Sequence, residues 1–266
     1  MSDGQYGRKF EDVPWLRSLL GVLTRVESSP GPELHVALGA VPRAARVALL
    51  PGSFNPPTVA HLALARAARE RGGVDACAFV LSTNTVNKER VTGAALVDRL
   101  AMLEGCLTPG REAVLLVNRG LYVEQARLIR QRLPWIREAV FLVGFDKIVQ
   151  IFDPRYYVDR DAALHELFGL TSFLVAPRER AEEAELRALL DEDGNRAFAG
   201  GVEYLPLPRD LRDVSSSTVR EMGRGSAEAA SAVPPAVQEF MRYYGAYDAS
   251  DRYQQRLNWL EGLLPA

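Results

Sequence analysis

From Arg46 onward the chain alternates short, continuous apolar runs with amphipathic stretches, and this restricts the available folds more than any other feature. The apolar runs are Val47–Leu50, Cys77–Leu81, Val114–Val117, Val140–Val143 and Ser172–Ala176, all too short for ordinary helices. Between them the spacing of apolar residues predicts helices near 60–71, 94–106, 122–133 and 145–152. A strand that is apolar throughout must be covered on both faces, and parallel neighbours need crossovers long enough to hold a helix. The sequence therefore predicts an α/β fold, a parallel sheet with helices on both faces. Such sheets bind ligands beyond the carboxyl ends of their strands, where the strand order reverses.

The expected arrangement is Rossmann-like, with helical extensions at both ends. Phe10 to Val26 reads as an amphipathic helix, with Trp15, Leu19, Leu20 and Leu23 near helical spacing, stopped by Ser28-Ser29-Pro30-Gly31-Pro32. Residues 1–44 are read as an N-terminal helical extension, 45–247 as the main domain and 248–266 as a helical tail. Within the main domain, Ala181–Leu190 reads as a helix, with further helices beginning near Ser216 and after Pro234-Pro235.

Net charge is −2, which gives no electrostatic basis for binding nucleic acid or an anionic membrane. No apolar run approaches the ~20 residues of a membrane helix. Asp3, Arg8, Lys9, Glu11 and Asp12 are a poor match to a secretory signal, so a cytoplasmic location is expected. Cys77 and Cys106 have neither the number nor the spacing for a disulfide framework or a zinc site. The ends could cap the domain or mediate homo-oligomer contacts.

Two loops carry chemistry. Gly52-Ser53-Phe54-Asn55-Pro56-Pro57-Thr58 directly follows the first parallel strand. Gly52 permits close backbone approach, the prolines preset an extended path, and Thr58 is a candidate N-cap. That cap places His61 in the first helical turn, beside unpaired N–H groups that suit phosphate. A histidine satisfied by core contacts is the bland alternative. Farther on, Val214-Ser215-Ser216-Ser217-Thr218-Val219-Arg220 puts serine donors at a helix start, with a guanidinium on its first turns. By itself that is an ordinary cap followed by a surface arginine.

Together these segments resemble the signature of the nucleotidyltransferase superfamily, a Gly–Phe–Asn/Asp–Pro loop followed by a His/Thr-x-Gly-His element. The pattern is closest to the nicotinamide/nicotinate mononucleotide adenylyltransferases. Thr58 stands where many members have the first His, and Ala60 replaces the frequent Gly before His61. The second segment is similar to the family's Ile-Ser-Ser-Thr-x-x-Arg element, with Ser217 for the Thr.

The resemblance implies transfer of AMP from ATP to nicotinamide or nicotinate mononucleotide, with pyrophosphate released and Mg²⁺ neutralising charge. It assigns Gly52, Ser53, Phe54, His61, Gly144, Asp146, Ser215, Ser216 and Arg220 to ATP, Asp146 at the ribose hydroxyls. His61, Thr58, Arg220 and Lys88 take the catalytic roles, while Ser53, Phe54, Lys88 and either Tyr156 or Tyr157 bind the acceptor, a tyrosine stacking on its ring. Arg178 resembles a similarly placed family arginine. Each also has a bland reading: Asp146 as an N-cap, Lys88 as a solvated loop residue, the tyrosines as core. Two rival functions stay open: transfer of a nucleotidyl group to another phosphomonoester, and a nucleotide-binding regulator or weak ATPase on the same fold.

Overall fold

The apolar runs pair side by side into one seven-stranded sheet in a computed structural model that describes residues 10–43, 45–84, 93–177, 183–222, 226–248 and 251–264. The strands are β1 (Leu34–Gly39), β2 (Arg46–Pro51), β3 (Ala76–Ser82), β4 (Glu112–Val117), β5 (Glu138–Gly144), β6 (Ser172–Ala176) and β7 (Val202–Tyr204), in the order β1-β4-β3-β2-β5-β6-β7. From β2 to β7 every pairing is parallel. The expected α/β fold is borne out, with one refinement: β1 lies antiparallel on β4. The sequence reading placed no strand ahead of Arg46. Leu34–Gly39 is an edge strand with only Leu34 and Leu38 buried, so it lacks the continuous apolar run that marks the others.

The helices are α1 (Val13–Ser28), α2 (Val59–Arg71), α3 (Leu96–Glu104), α4 (Tyr122–Arg132), α5 (Phe145–Phe152), α6 (Arg160–Leu170), α7 (Glu183–Asp191), α8 (Ser216–Met222), α9 (Ala227–Ser231), α10 (Pro235–Tyr244) and α11 (Asp251–Glu261). Alternation along each strand divides the sheet's side chains between two layers. Val47, Leu49, Phe141 and Val143 pack with α4 to α7, whereas Ala48, Leu50, Val140 and Leu142 pack with α1 to α3. A third cluster joins Phe10, Met102, Val219, Phe240 and Tyr253, and so ties α3, α8, α10 and α11 together. Helix α6 escaped the sequence reading because only Leu164 and Leu167 are buried on it, too thin a stripe for a clear period. No described helix is long and apolar enough to cross a membrane.

From β2 the chain steps outward through β3 to β4, then returns to β5 on the other side of β2. The order therefore reverses between β2 and β5. Their register pairs Leu49 with Phe141, so three residues further on Gly52 would fall opposite Gly144. The loop after β2 and the Gly144 loop after β5 thus open into one crevice.

Candidate active site

Thr58 is the N-cap of α2, as its spacing predicts, and its side chain accepts from the His61 backbone N–H at 3.4 Å. The reciprocal half of this capping box is unusual in using an imidazole: the Thr58 N–H donates to His61 Nδ1 at 3.0 Å. A backbone N–H can only donate, so Nδ1 accepts and the proton of the neutral ring sits on Nε2. Phe54 lies edge-on to the His61 ring at 4.9 Å and to Phe79 at 5.4 Å. His61 is consequently held by its backbone neighbour on one side and an aromatic edge on the other, with Nε2–H as its available donor.

Thr58 and Phe54 are both wholly buried, which changes the roles read for their side chains. The Thr58 hydroxyl lies 2.9 Å from His61 Nδ1 and so acts on His61, not on a ligand. The Phe54 ring folds back over Gly52, where an added Cβ would come within 2.8 Å of Phe54 Cζ. Glycine is needed there for the ring, so the close approach expected of Gly52 is to Phe54. Phe54 itself takes φ +45°, uncommon for a bulky side chain, and its burial in the core holds that conformation. Its backbone N–H makes no hydrogen bond within the described residues and Ser53 is exposed, so these two positions offer the loop's groups to a ligand. The start of α2 is less open than its sequence implies. The Val59 N–H is taken by the Ala232 carbonyl and the His61 N–H by Thr58.

The second segment caps α8 and grips the first loop. Ser215 Oγ accepts from the Thr218 N–H at 3.1 Å, an N-cap bond, and lies 2.7 Å from the Thr218 hydroxyl. Ser216 Oγ donates to the Pro56 carbonyl at 2.7 Å, across 160 residues of sequence. Arg220 donates from Nη1 to the Asn55 carbonyl at 2.6 Å and from Nη2 to Ser217 Oγ at 3.1 Å. Ser216 and Arg220 therefore anchor the first loop through its backbone carbonyls. Gly144, at the mouth of the same crevice, has nothing within 4 Å of where a Cβ would stand.

A profile described as cytidylyltransferase-like matches residues 49–222, the span from β2 to the end of α8 that contains both loops. The chain belongs to the cytidylyltransferase-like family. Among curated relatives it is 29% identical over 210 residues to a probable nicotinate-nucleotide adenylyltransferase of Gloeobacter violaceus, covering 76% of this chain and 96% of that one. A protein of the same designation from Stenotrophomonas maltophilia is also 29% identical, over 220 residues, covering 74% of this chain and 94% of the relative. A solved structure of Plasmodium falciparum nicotinic acid mononucleotide adenylyltransferase complexed with NaAD superposes with a TM-score of 0.58 at 15% identity. That superposition covers 77% of this chain and 98% of the other, and it supports the fold. The expected nucleotidyltransferase fold and family are thus borne out.

The remaining candidates of this cytidylyltransferase-like chain are distributed unevenly. Gly144 is the N-cap of α5 and Asp146 its second helical residue, exposed, so Asp146 is not the cap. Tyr156 is 62% exposed on a short 3-10 turn, whereas Tyr157 is half-buried and donates to the Ile151 carbonyl at 2.6 Å. Burial also holds the Tyr157 phenol above its ordinary pKa. Of the two, only Tyr156 presents a free ring face. Lys88 and Arg178 lie outside the described residues. Among the described residues no group of three or more His, Cys, Asp or Glu side chains could hold a metal. Cys77 is buried and free, and burial raises its thiol pKa.

Two residues of this family member were not anticipated. Asn55 is 2% exposed, and its Oδ1 accepts from the Ala94 N–H at 3.0 Å. It packs so closely on Gly93, at φ +118°, that a Cβ there would come within 2.6 Å of Asn55 Oδ1. Arg99, 5% exposed, donates from Nε to the Ala94 carbonyl at 2.7 Å and reaches the Ser53 carbonyl at 3.4 Å. The only signal for Arg99 in sequence was the charged pair Asp98-Arg99 inside an otherwise apolar run from Ala94 to Leu103.

Burial lowers the His61 pKa from 6.5 to about 4, so the ring is neutral at pH 7. Between those values the unfolded chain binds the proton that the folded chain refuses, so stability falls as pH drops from 6.5 towards 4. The effect is on the order of 2–3 kcal/mol. Thermal unfolding of wild type and His61→Asn across pH 4 to 7 checks this. The variant should lose visibly less stability on acidification, and parallel curves would refute the assignment.

Proposed function

We propose that this chain is an adenylyltransferase that joins ATP to a pyridine mononucleotide, releasing pyrophosphate. The observation that carries the reading is the anchoring of the Ser215–Arg220 segment onto the first loop through the carbonyls of Asn55 and Pro56. That contact gathers, at the mouth of one crevice, a histidine donor, exposed loop positions and an arginine. Phosphate chemistry needs such a grouping. The acceptor's phosphate oxygen attacks the α-phosphorus of ATP in line, the bond to the β-phosphate oxygen breaks, and the leaving pyrophosphate takes the electron pair. No protein nucleophile is required, so positioning and charge stabilisation do the catalysis.

In this reading His61 Nε2–H donates to an α-phosphate oxygen as negative charge builds. Thr58 fixes the tautomer and aim of that ring. Ser215, Ser216 and Arg220 lie beside the leaving pyrophosphate, and Lys88 adds positive charge. Asp146, exposed at the start of α5, accepts from the ribose hydroxyls, and Tyr156 stacks on the pyridine. Mg²⁺ accompanying ATP would supply neutralising charge at the phosphates, with few protein ligands needed.

The designations of the two bacterial relatives above favour the acidic ring, nicotinate mononucleotide, over the amide. The test is pyrophosphate release from ATP or CTP with nicotinate mononucleotide, nicotinamide mononucleotide or choline phosphate. Turnover is expected with ATP and a pyridine mononucleotide, fastest with nicotinate. Faster turnover with CTP or choline phosphate would move the chain to another acceptor class. Acceptor-independent phosphate release would make it an ATPase, and binding without product a regulator.

A further inference from the structure

We propose that Arg99 is a positioning residue of the first phosphate loop, held in place by the C-terminal helix. The assignment rests on reading that loop as a phosphate site, and it draws on a segment, α11, outside the span that the family profile matches. Arg99 is buried, and no carboxylate pairs with it among the described residues. Its donors go to carbonyls, Nε to Ala94 and Nη1 to Ser53. The Ser53–Phe54 peptide is trans, since the one cis bond in the described chain is Asn55-Pro56. In a planar trans peptide the C=O and the following N–H point in opposite directions. Drawing the Ser53 carbonyl towards Arg99 therefore turns the Phe54 N–H away from it, and that N–H has no partner within the described residues. The other two carbonyls gripped in this loop, Asn55 and Pro56, are held by Arg220 and Ser216 but precede prolines. Along this grip Phe54 is thus the one place where a fixed carbonyl aims an amide donor.

Arg99 is in turn fixed from the tail. Helix α3 starts at Ala95 without a side-chain cap of its own. Instead the Tyr253 hydroxyl of α11 accepts from the Ala95 N–H at 2.7 Å and donates to Asp98 Oδ2 at 2.8 Å. Arg256 donates to Asp98 Oδ1 at 2.9 Å from Nε and 2.7 Å from Nη2, and to the Phe10 carbonyl at 3.0 Å. Asp98 precedes Arg99 in the chain, and Ala94, which Arg99 grips, also donates to Asn55 Oδ1. One continuous set of bonds runs from α11 through the start of α3 to both ends of the Ser53–Asn55 segment.

The test compares ATP with adenosine by titration calorimetry on the full chain. Arg99→Lys keeps the charge but loses the two-carbonyl fork. It should weaken ATP on the order of 10-fold or more, with adenosine changed less than about 2-fold. Arg99→Ala should show the same pattern and regain ATP affinity with methylguanidinium but not methylammonium. Tyr253→Phe, away from the ligand, should reproduce part of the selective loss. Equal losses for ATP and adenosine, or unchanged ATP affinity in folded Arg99→Lys and Tyr253→Phe, would overturn the proposal. A wild-type chain that binds ATP and transfers nothing would defeat the adenylyltransferase reading and leave this one standing. A wild-type chain with no affinity for ATP would defeat both.

Discussion

His61→Ala is expected to lose transfer activity by at least about 100-fold, the usual effect of removing a donor aimed at developing negative charge. The loss should appear in kcat more than in KM, because Nε2–H matters most when the α-phosphate oxygens carry their greatest charge. Stability should change little. The His61 backbone N–H still bonds Thr58 Oγ1, so half of the capping box survives. What disappears is the bond from the Thr58 N–H to Nδ1 and an edge contact with Phe54, together on the order of 1 kcal/mol. Steady-state rates with ATP and the preferred mononucleotide, alongside circular dichroism, decide the matter. Activity within a few-fold of wild type in a folded variant would remove His61 from the mechanism.

The largest stability effect is expected from Arg256→Met. Asp98 is 0% exposed and its ion pair with Arg256 is sealed, the two side chains being 0% and 2% exposed. Taking away the guanidinium leaves a buried carboxylate held by the Tyr253 hydroxyl at 2.8 Å. Breaking such a pair from one side typically costs about 3–5 kcal/mol. Arg256 also lies 4.0 Å from the Tyr244 ring centroid, so its loss removes a cation–π contact as well. At about 2–4 °C per kcal/mol for a chain of this size, Tm should fall by roughly 10 °C. Asp98→Asn/Arg256→Met should recover a good part of that loss, because the uncompensated charge has gone. A Tm within about 2 °C of wild type for the single variant would show that the pair contributes nothing net.

Local chemistry made much of this molecule legible in advance. Thr58 as N-cap and His61 three residues later follow from short-range hydrogen bonding, and five strands follow from apolar runs that only a two-sided sheet can bury. The sites after β2 and β5 follow from where such sheets reverse their order. Strand β1 was missed because an edge strand is buried too little to need an apolar run, and α6 because two buried leucines set no period.

The candidate site was half legible for a related reason. Sequence named the groups that phosphate chemistry needs, since hydroxyls, guanidinium and imidazole are matters of residue type. It could not say which of them face inward. Thr58 and Phe54 are buried behind His61, and Ser216 and Arg220 hold the Asn55–Pro56 backbone. Arg99 and Asn55 are functional in outlook only because distant segments press on them. The tail, which sequence offered only as a domain cap or an oligomer contact, reaches the first loop through Asp98 and Arg99. Sequence by itself determined most of the elements, the family and most of the donors, because capping and periodicity act within a few residues. Tertiary structure alone decided which donors stay free, because that depends on carbonyls and carboxylates brought together from more than 150 residues away.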